Sequence, residues 1–252
     1  MITVNQFNLS KTELAAYLEC PLKFYLMKQQ NQYTTRGPRG RRDNSRYSPR
    51  KRRGIDWHKK LNDCLKEYQV EIASGSPPPD NISVQPILRR FWDCEQHRYT
   101  VDPDHWFPLT FELYLENPSQ RGVLDRVDPI DEHSCCVVEY KSSPKSSGFL
   151  DEELLFYALL ASESKQFKKQ IGCTVHQVAC YFYTTGEWVT RDVLPEELEE
   201  YKVFLKTIYE EMLTGNWARK LDCSLLREEC SFSIVCTKIP HSLLCPEESS
   251  NE

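Results

Sequence analysis

Three strand-like runs follow one another directly in the middle of this chain, and they constrain its fold more than any other feature. They are FPLTFELYLE (107–116), GVLDRVDPI (122–130) and CCVVEYKSS (135–143), all rich in β-branched and aromatic residues. A helix at about 150–167, two strands at 174–185 and 187–193, and a helix at 195–215 are predicted to follow. This order predicts a mixed α/β or α+β domain with a central mixed sheet flanked by helices.

The part of the chain before these strands is predicted to be helical. Ser10, with Glu13 three residues later, is typical of a helix N-terminus, and Pro21 is expected to break or kink the helix that follows. Apolar residues recur at helical spacing over 54–73, which predicts a second helix, and a third helix is predicted over 84–99.

A strongly basic segment separates the first two helices. Residues 36–53 (RGPRGRRDNSRYSPRKRR) contain nine Lys/Arg and one acid, although the whole chain carries a formal net charge of -5. The Gly, Pro, Ser and Asn content predicts a flexible loop, and the charge predicts sequence-independent contact with phosphates. A solvated or localisation-type loop is the alternative interpretation. The cations predicted to contact DNA here are Arg41, Arg42, Arg50, Lys51, Arg52 and Arg53.

The composition excludes several classes of protein. With 40% hydrophobic and 12% aromatic residues the chain can bury a core, which excludes wholesale disorder. The longest apolar stretches, such as LLFYALLA (154–161), are far shorter than the roughly 18–20 residues that a bilayer requires, so no membrane contact is expected. The N-terminus lacks the charged start and apolar run of a secretory signal. We therefore expect an intracellular protein, in the cytoplasm or, in a eukaryote, in the nucleus.

Charged side chains lie in two of the predicted strands. In CCVVEYK, strand alternation places Glu139 and Lys141 on one face, where burial is costly unless they are paired or used. Asp125 and Asp128 lie around the end of the preceding strand. Carboxylates from neighbouring strands can converge on a hard cation such as Mg²⁺, beside a lysine that stabilises phosphate charge. An ordinary ion-pair network on an edge strand is the alternative.

These motifs resemble, in their order, the PD-(D/E)xK nucleases of the RecB type, whose core is restriction-endonuclease-like. The opening SKTELAAYLECPLKFYL is most similar to that of the CRISPR-associated RecB-like exonucleases, which place a cysteine before a proline in this helix. The resemblance spans roughly 10–236. The matching motifs are G-x-x-x-H (Gly54, His58), G-x-x-D-R-x-D (Gly122, Asp125, Arg126, Asp128), V-V-E-Y-K (Glu139, Lys141) and the cysteine–proline pair Cys20–Pro21.

The resemblance implies a role for each member of a metal site. His58, Asp125 and Glu139 are expected to bind one or two Mg²⁺ or Mn²⁺ ions, helped by the main-chain carbonyl of Tyr140. Lys141 is expected to position and activate the attacking water. This assignment suits phosphodiester hydrolysis, which needs a metal to screen the phosphate and supply hydroxide near neutral pH. For His58 alone, a histidine satisfied within the core is the alternative.

Three further residues complete the predicted site. The helix after the E-x-K strand carries Q-x-x-x-Y in the family, and the aligned stretch here is E-L-L-F-Y, so Glu153 replaces the glutamine and Tyr157 the tyrosine. Their spacing places both on one helical face beside the metal site. Glu153 is expected either to pair with Lys141 or an arginine, or to extend the metal site. Arg126 is predicted to contact DNA.

The cysteines predict a second site. Eleven cysteines, an odd number, do not suit a full disulfide framework and point to metal or redox chemistry. The family it resembles holds a 4Fe–4S cluster with one N-terminal and three C-terminal cysteines. The spacing before Cys230 is longer than the family's C-x2-C, so Cys245 is an alternative to Cys223, and tetrahedral zinc is an alternative to the cluster. The implied cluster ligands are Cys20, Cys223, Cys230 and Cys236, and the cysteines better explained as buried structural thiols are Cys64, Cys94, Cys173 and Cys180.

The predicted organisation assigns each segment a task. An N-terminal helix with the first cluster cysteine occupies 1–35, the basic loop 36–53, a nuclease core 54–215 with its helical part at 54–100, the cysteine segment 216–245 and a disordered tail 246–252. We predict a metal-dependent exonuclease acting at single-stranded DNA ends, which the resemblance connects with CRISPR spacer acquisition beside integrase proteins. The alternatives are a general repair or replication nuclease of the same superfamily and a non-catalytic iron–sulfur DNA-binding scaffold.

Overall fold

The computed structural model describes residues 8–34, 49–144 and 147–215, together with residues 217, 230 and 232, and divides into two compact units. The larger unit comprises the described residues of 49–117 and 121–201, and the smaller unit comprises the others. The helices are α1 (Lys11–Glu19), α2 (Pro21–Thr34), α3 (Pro49–Glu67), α4 (Gln69–Ala73), α5 (Asp80–Ser83), α6 (Pro86–Val101), α7 (Ser147–Glu163), α8 (Lys165–Gln170) and α9 (Pro195–Thr214). The strands are β1 (Leu9–Ser10), β2 (Thr110–Glu116), β3 (Gln120–Pro129), β4 (Ser134–Lys141), β5 (Thr174–Phe182) and β6 (Glu187–Asp192).

A mixed sheet forms the centre of the larger unit. Strands β3, β4, β5 and β6 are successive neighbours, and β2 pairs with β3. Only the β4–β5 pair is parallel among the pairs from β2 to β6, and α7 lies in the crossover that joins these two strands. Helices α3, α4 and α6 pack over Cys136, Val138 and Tyr140, whereas α7 packs on β4 and β5. The prediction of a mixed α+β fold with a central mixed sheet flanked by helices is confirmed.

Strand β4 and helix α7 are deeply buried elements of the larger unit. Every residue of β4 from Ser134 to Tyr140 is buried, as expected for a strand that has neighbours on both sides and helices over its faces. Helix α7 is buried almost all round from Glu153 to Ala161, which explains why its sequence lacks a polar face. Both elements are therefore held rigidly by packing.

Four charged side chains form an ion-pair network inside the larger unit. Arg126 has no exposed surface, and its guanidinium lies 2.7 Å from Glu95 of α6 and 2.6 Å from Asp128. Arg98 joins the same two carboxylates at 2.9 and 2.7 Å. Burial raises the pKa of Asp128 to about 7, although Arg126 opposes this shift. The prediction that Arg126 contacts DNA is wrong, because a fully buried and paired guanidinium does not reach a phosphate.

Several predicted boundaries change. The last five residues of the basic segment, 49–53, are helical rather than a loop, because α3 begins at Pro49, a residue suited to the first turn of a helix. The second predicted helix ends at Glu67 and resumes as α4, and from Lys202 onward α9 belongs to the smaller unit rather than the core. None of the helices in the described ranges is long and apolar enough to cross a membrane. Arg41, Arg42, Cys223, Cys236 and Cys245 lie outside the described residues.

The smaller unit joins α1 and α2 to the second half of α9. Ser10 and Glu13 form a capping box at the start of α1, as predicted, and α1 ends before Pro21. Leu9 donates its N–H to the carbonyl of Ser119 at 2.9 Å. The ring of Trp217 stacks on Tyr25 at 5.5 Å between centroids and also contacts the rings of Tyr17 and Phe24. These aromatic contacts give the unit a core of its own.

Replacement of Arg126 by alanine is expected to lower the free energy of unfolding by about 3–5 kcal/mol, because it leaves Glu95 and Asp128 buried with one partner fewer. Chemical denaturation measures the loss. Arg89→Ala is the matched control, since Arg89 lies on α6, the helix that carries Glu95, but forms an exposed pair with Asp93 that contributes less than about 1 kcal/mol. Equal losses in the two variants would contradict the network's importance.

Candidate active site

The candidate site lies where two neighbouring strands part. The β3–β4 ladder runs from Pro129–Cys135 to Arg126–Val138, so Asp125 and Glu139 come directly after its last pair. There the N–H of Tyr140 donates to the Asp125 carboxylate at 2.9 Å. A side-chain oxygen thus receives a strand N–H, and this bond holds Asp125 at the opening between the strands.

His58 reaches the same carboxylate from α3. Its Nδ1 lies 3.0 Å from Oδ1 of Asp125, and its ring packs edge-on against Tyr140 at 5.6 Å between centroids. Leu61 and Leu65, one and two turns further along the helix, are completely buried and fix α3 against the core. The core-histidine alternative is therefore only partly right, since His58 packs against the core but also contacts the predicted site carboxylate.

Lys141 lies between two carboxylates. Its ammonium is 3.4 Å from Glu139 on the same strand face and 2.7 Å from Glu153 on α7. All three side chains are largely buried, so the charges interact in surroundings that screen them weakly. Of the alternatives given for Glu153, the structure shows the pairing with Lys141.

Tyr157 shares the face of α7 that carries Glu153. Burial raises the pKa of its phenol well above the usual range, and the negative charges of Glu139 and Asp125 add to this effect. The helix approaches β3 closely at this point, because a Cβ added to Gly122 would lie 2.8 Å from Cε1 of Tyr157. Glycine at position 122 is thus required by the tyrosine ring, which accounts for the glycine that opens the G-x-x-D-R-x-D motif.

The donor atoms fit a hard divalent cation. Asp125 and Glu139 offer carboxylate oxygens and His58 an imidazole nitrogen, donor types that Mn²⁺ and Mg²⁺ sites use. Within the described ranges, no three His, Cys, Asp or Glu side chains stand close enough to hold one metal ion between them. Each of the two carboxylate donors contacts a basic group of the protein, since His58 lies against Asp125 and Lys141 against Glu139.

The carboxylates of the site change how His58 titrates. Burial lowers the pKa of His58, but the hydrogen bond and charge of Asp125, with the charge of Glu139, outweigh burial and raise it above 6.5. The raised pKa means that Asp125 favours the protonated form of His58, and the Lys141 ammonium pairs with Glu139 and Glu153. A bound cation would have to displace one of these partners.

The structure brings together most of the predicted site residues. His58, Asp125, Tyr140, Lys141 and Glu139 lie around one opening, with Glu153 and Tyr157 on the helix beside it. Tyr140 contributes its N–H, and a ligand role for its carbonyl stays a prediction. Cys64 and Cys180 are buried, and Cys94 and Cys173 are partly buried, as structural thiols should be. Arg50, Lys51, Arg52 and Arg53 lie in α3, and their contact with DNA stays a prediction.

Two aromatic residues near His58 were absent from the predicted set. The ring of Tyr183, just after β5, lies 6.3 Å from the His58 ring, and that of Trp57 lies 6.2 Å from Tyr183. The sequence signal for Trp57 was its position directly before His58. Nothing in the sequence connects Tyr183 with α3, because the contact depends on how β5 sits in the sheet.

Carboxylates at parted strands, with a lysine two residues after the second, are groups that metal-assisted hydrolysis can use. The chain belongs to the PD-(D/E)XK nuclease superfamily, whose family model matches residues 8–237. Members of this superfamily are typically metal-dependent nucleases that use divalent ions such as Mg²⁺ or Mn²⁺. No curated protein matches the chain.

In the metal-free protein, we expect the His58 imidazole to titrate above 6.5 and Asp125→Asn to bring its pKa below that value, because burial then prevails. NMR titration of the imidazole Cε1–H measures both. Since the pKa is raised by folding, the pairing stabilises the protein below about pH 6.5 and is lost as the pH rises through the folded-state value. The signals of the other histidines serve as controls, and an unchanged His58 titration in the variant would contradict the pairing.

Proposed function

We propose that this protein is a metal-dependent exonuclease that hydrolyses phosphodiester bonds at the ends of single-stranded DNA. The proposal is carried by one observation, the convergence of His58, Asp125, Glu139 and Lys141 at the parting of β3 and β4. Membership of the PD-(D/E)XK nuclease superfamily supports it. The preference for ends and for single strands comes from the resemblance to RecB-like exonucleases.

Asp125, Glu139 and His58 are the residues that would hold one or two divalent ions. The metal, when bound, supplies screening of the phosphate charge and a hydroxide nucleophile near neutral pH. Asp125 is oriented for this task by the N–H of Tyr140, and Glu139 is held by the packing of β4. These contacts limit the movement that ligand binding requires and so lower its entropic cost.

Lys141 has two tasks in the proposed reaction. Its ammonium can hold the attacking water and stabilise the charge that develops on the phosphate oxygens, which a preorganised cation does at little reorganisation cost. Glu153 positions Lys141, since the two are 2.7 Å apart and α7 is buried along this stretch. The family has a glutamine where this chain has Glu153. The carboxylate holds Lys141 more strongly than an amide would, but it adds negative charge near the phosphate.

Purified protein is expected to degrade single-stranded DNA in Mg²⁺ or Mn²⁺ and to be inactive in EDTA. Lys141→Met and Glu139→Gln are each expected to lower the rate at least about 100-fold, because each removes a charge acting on the transition state. Gel assays with DNA labelled separately at each end measure the rate and the polarity together, and duplex DNA and RNA substrates define the preference.

Lys165→Met is the control, because Lys165 is exposed on α8 and is not among the residues assembled at the site. Circular dichroism checks that all variants are folded. If the wild type and both site variants degrade DNA alike, or if none does so with any divalent ion, the enzyme assignment fails. DNA binding without hydrolysis would then favour the non-catalytic scaffold.

We also propose a 4Fe–4S cluster held by Cys20, Cys223, Cys230 and Cys236, with Cys245 as the alternative to Cys223. The family resemblance supports the set, and in the described part of the chain Cys20 lies buried between α1 and α2 while Cys230 is partly exposed. Anaerobically purified protein is expected to be brown with broad absorbance that Cys230→Ser abolishes. Colourless protein loaded with zinc would contradict the cluster.

The resemblance supports a biological setting in CRISPR spacer acquisition, where the nuclease would trim DNA beside integrase proteins. General end processing in repair or replication is the alternative proposal. Both use the same substrate chemistry, a free single-stranded end.

A further inference from the structure

Trp57 forms the outer part of an aromatic pair next to the site. Its ring is partly exposed and packs on Tyr183 with 6.2 Å between centroids and an angle of 31°. Tyr183 is itself buried and contacts the His58 ring edge-on at 6.3 Å. The pair therefore extends from a candidate metal ligand outward to a side chain that a ligand can touch.

The position of this pair relative to Lys141 is set by hydrogen bonds. The N–H of Tyr183 donates to the carbonyl of Lys141 at 2.9 Å, and the hydroxyl of Thr184 donates to the carbonyl of Ser142. The end of β5 is thereby tied to the end of β4. A group resting on Trp57 would lie at a defined distance from the lysine.

A lysine of the same helix lies over the face of the Trp57 ring. The Lys60 ammonium lies 4.7 Å from the ring centroid, one turn further along α3, and Lys60 is exposed. A cation–π contact at an exposed position contributes about 0.5–1 kcal/mol, whereas a nucleic-acid base stacked on an aromatic side chain contributes about 1–3 kcal/mol. A base would therefore displace Lys60, and the released ammonium could pair with a phosphate.

We propose that Trp57, supported by Tyr183, is a stacking platform for an unpaired base of the DNA strand in the site. This inference rests on the proposed function, and it names the feature of the substrate that the site selects. The bases of a duplex cover each other's faces, so only an unpaired base presents its ring to the tryptophan. Helix α3 carries seven Lys/Arg against three Asp/Glu, a charge balance that suits the phosphates of the same strand.

The variants Trp57→Leu and Trp57→Phe distinguish base stacking from a purely structural role of Trp57. Leucine keeps apolar bulk but has no aromatic face, whereas phenylalanine keeps a smaller one. Fluorescence anisotropy with a labelled oligonucleotide in Ca²⁺ is expected to show about 5- to 100-fold weaker binding of single strands by Trp57→Leu. Trp57→Phe should lose less, and neither variant should change the affinity for closed circular duplex, which exposes no terminal base face. Equal binding of single strands by Trp57→Leu and the wild type overturns the inference.

A second measurement tests the inference on the wild-type protein itself. One abasic nucleotide is moved along the oligonucleotide, and wild-type binding is expected to weaken at one or two positions near the end. Those positions should have no effect on Trp57→Leu. Wild-type binding that is insensitive to every abasic position overturns the inference even if both variants fail to fold.

The two proposals fail in distinguishable ways. Wild-type protein that binds with the abasic pattern but hydrolyses nothing in Mg²⁺ contradicts the proposed function and leaves the stacking platform in place. Wild-type protein that degrades single strands but binds abasic DNA normally contradicts the platform alone.

Discussion

The hydrogen bond from the Tyr140 N–H to the Asp125 carboxylate is the contact on which the rest of the site depends. It forms where the β3–β4 ladder ends, and it allows two adjacent strands to part without leaving that buried amide unpaired. The parting exposes Asp125 to His58 from one helix and Glu139 to Lys141 on its own strand.

Ion pairs among buried side chains are the second main feature of the structure. Strands and helices together bring charged side chains into the interior in two groups. One consists of Glu95 and Asp128 with two arginines. The other consists of Asp125, Glu139 and Glu153 with His58 and Lys141. The first group is enclosed and has its full complement of partners. The second brings three carboxylates together with His58 and Lys141, and its Asp125, Glu139 and His58 carry the donor types that divalent-cation sites use. The same type of ion pairing thus stabilises the fold in one place and prepares a binding site in the other.

The sequence predicts the parts of this structure that depend on local pattern. The strands, the helix that follows them, and the shared face of Glu139 and Lys141 follow from periodicity, and the pairing of Glu153 with Lys141 follows from spacing and charge. Arg126 was misassigned because its partner Glu95 lies 31 residues earlier, on a helix whose position over the sheet is set only by tertiary packing. The start of α3 at Pro49 was missed because the Gly, Pro, Ser and Asn content of the basic segment predicts a loop, although residues 50–53 are arginine and lysine, which favour helices.

The contact between Gly122 and Tyr157 ties the shape of the backbone to events at Lys141. Because β3 has no side chain at this position, α7 rests against the strand with the tyrosine ring on bare backbone. Glu153 lies one turn earlier on the same rigid helix, and it is this depth of approach that brings its carboxylate to the lysine ammonium. A methyl group at position 122 would move α7 away from β3 by a fraction of an ångström. The distance between Glu153 and Lys141 would then increase, although neither residue is changed. The position of the Lys141 ammonium thus depends in part on Gly122, a residue that carries no side chain.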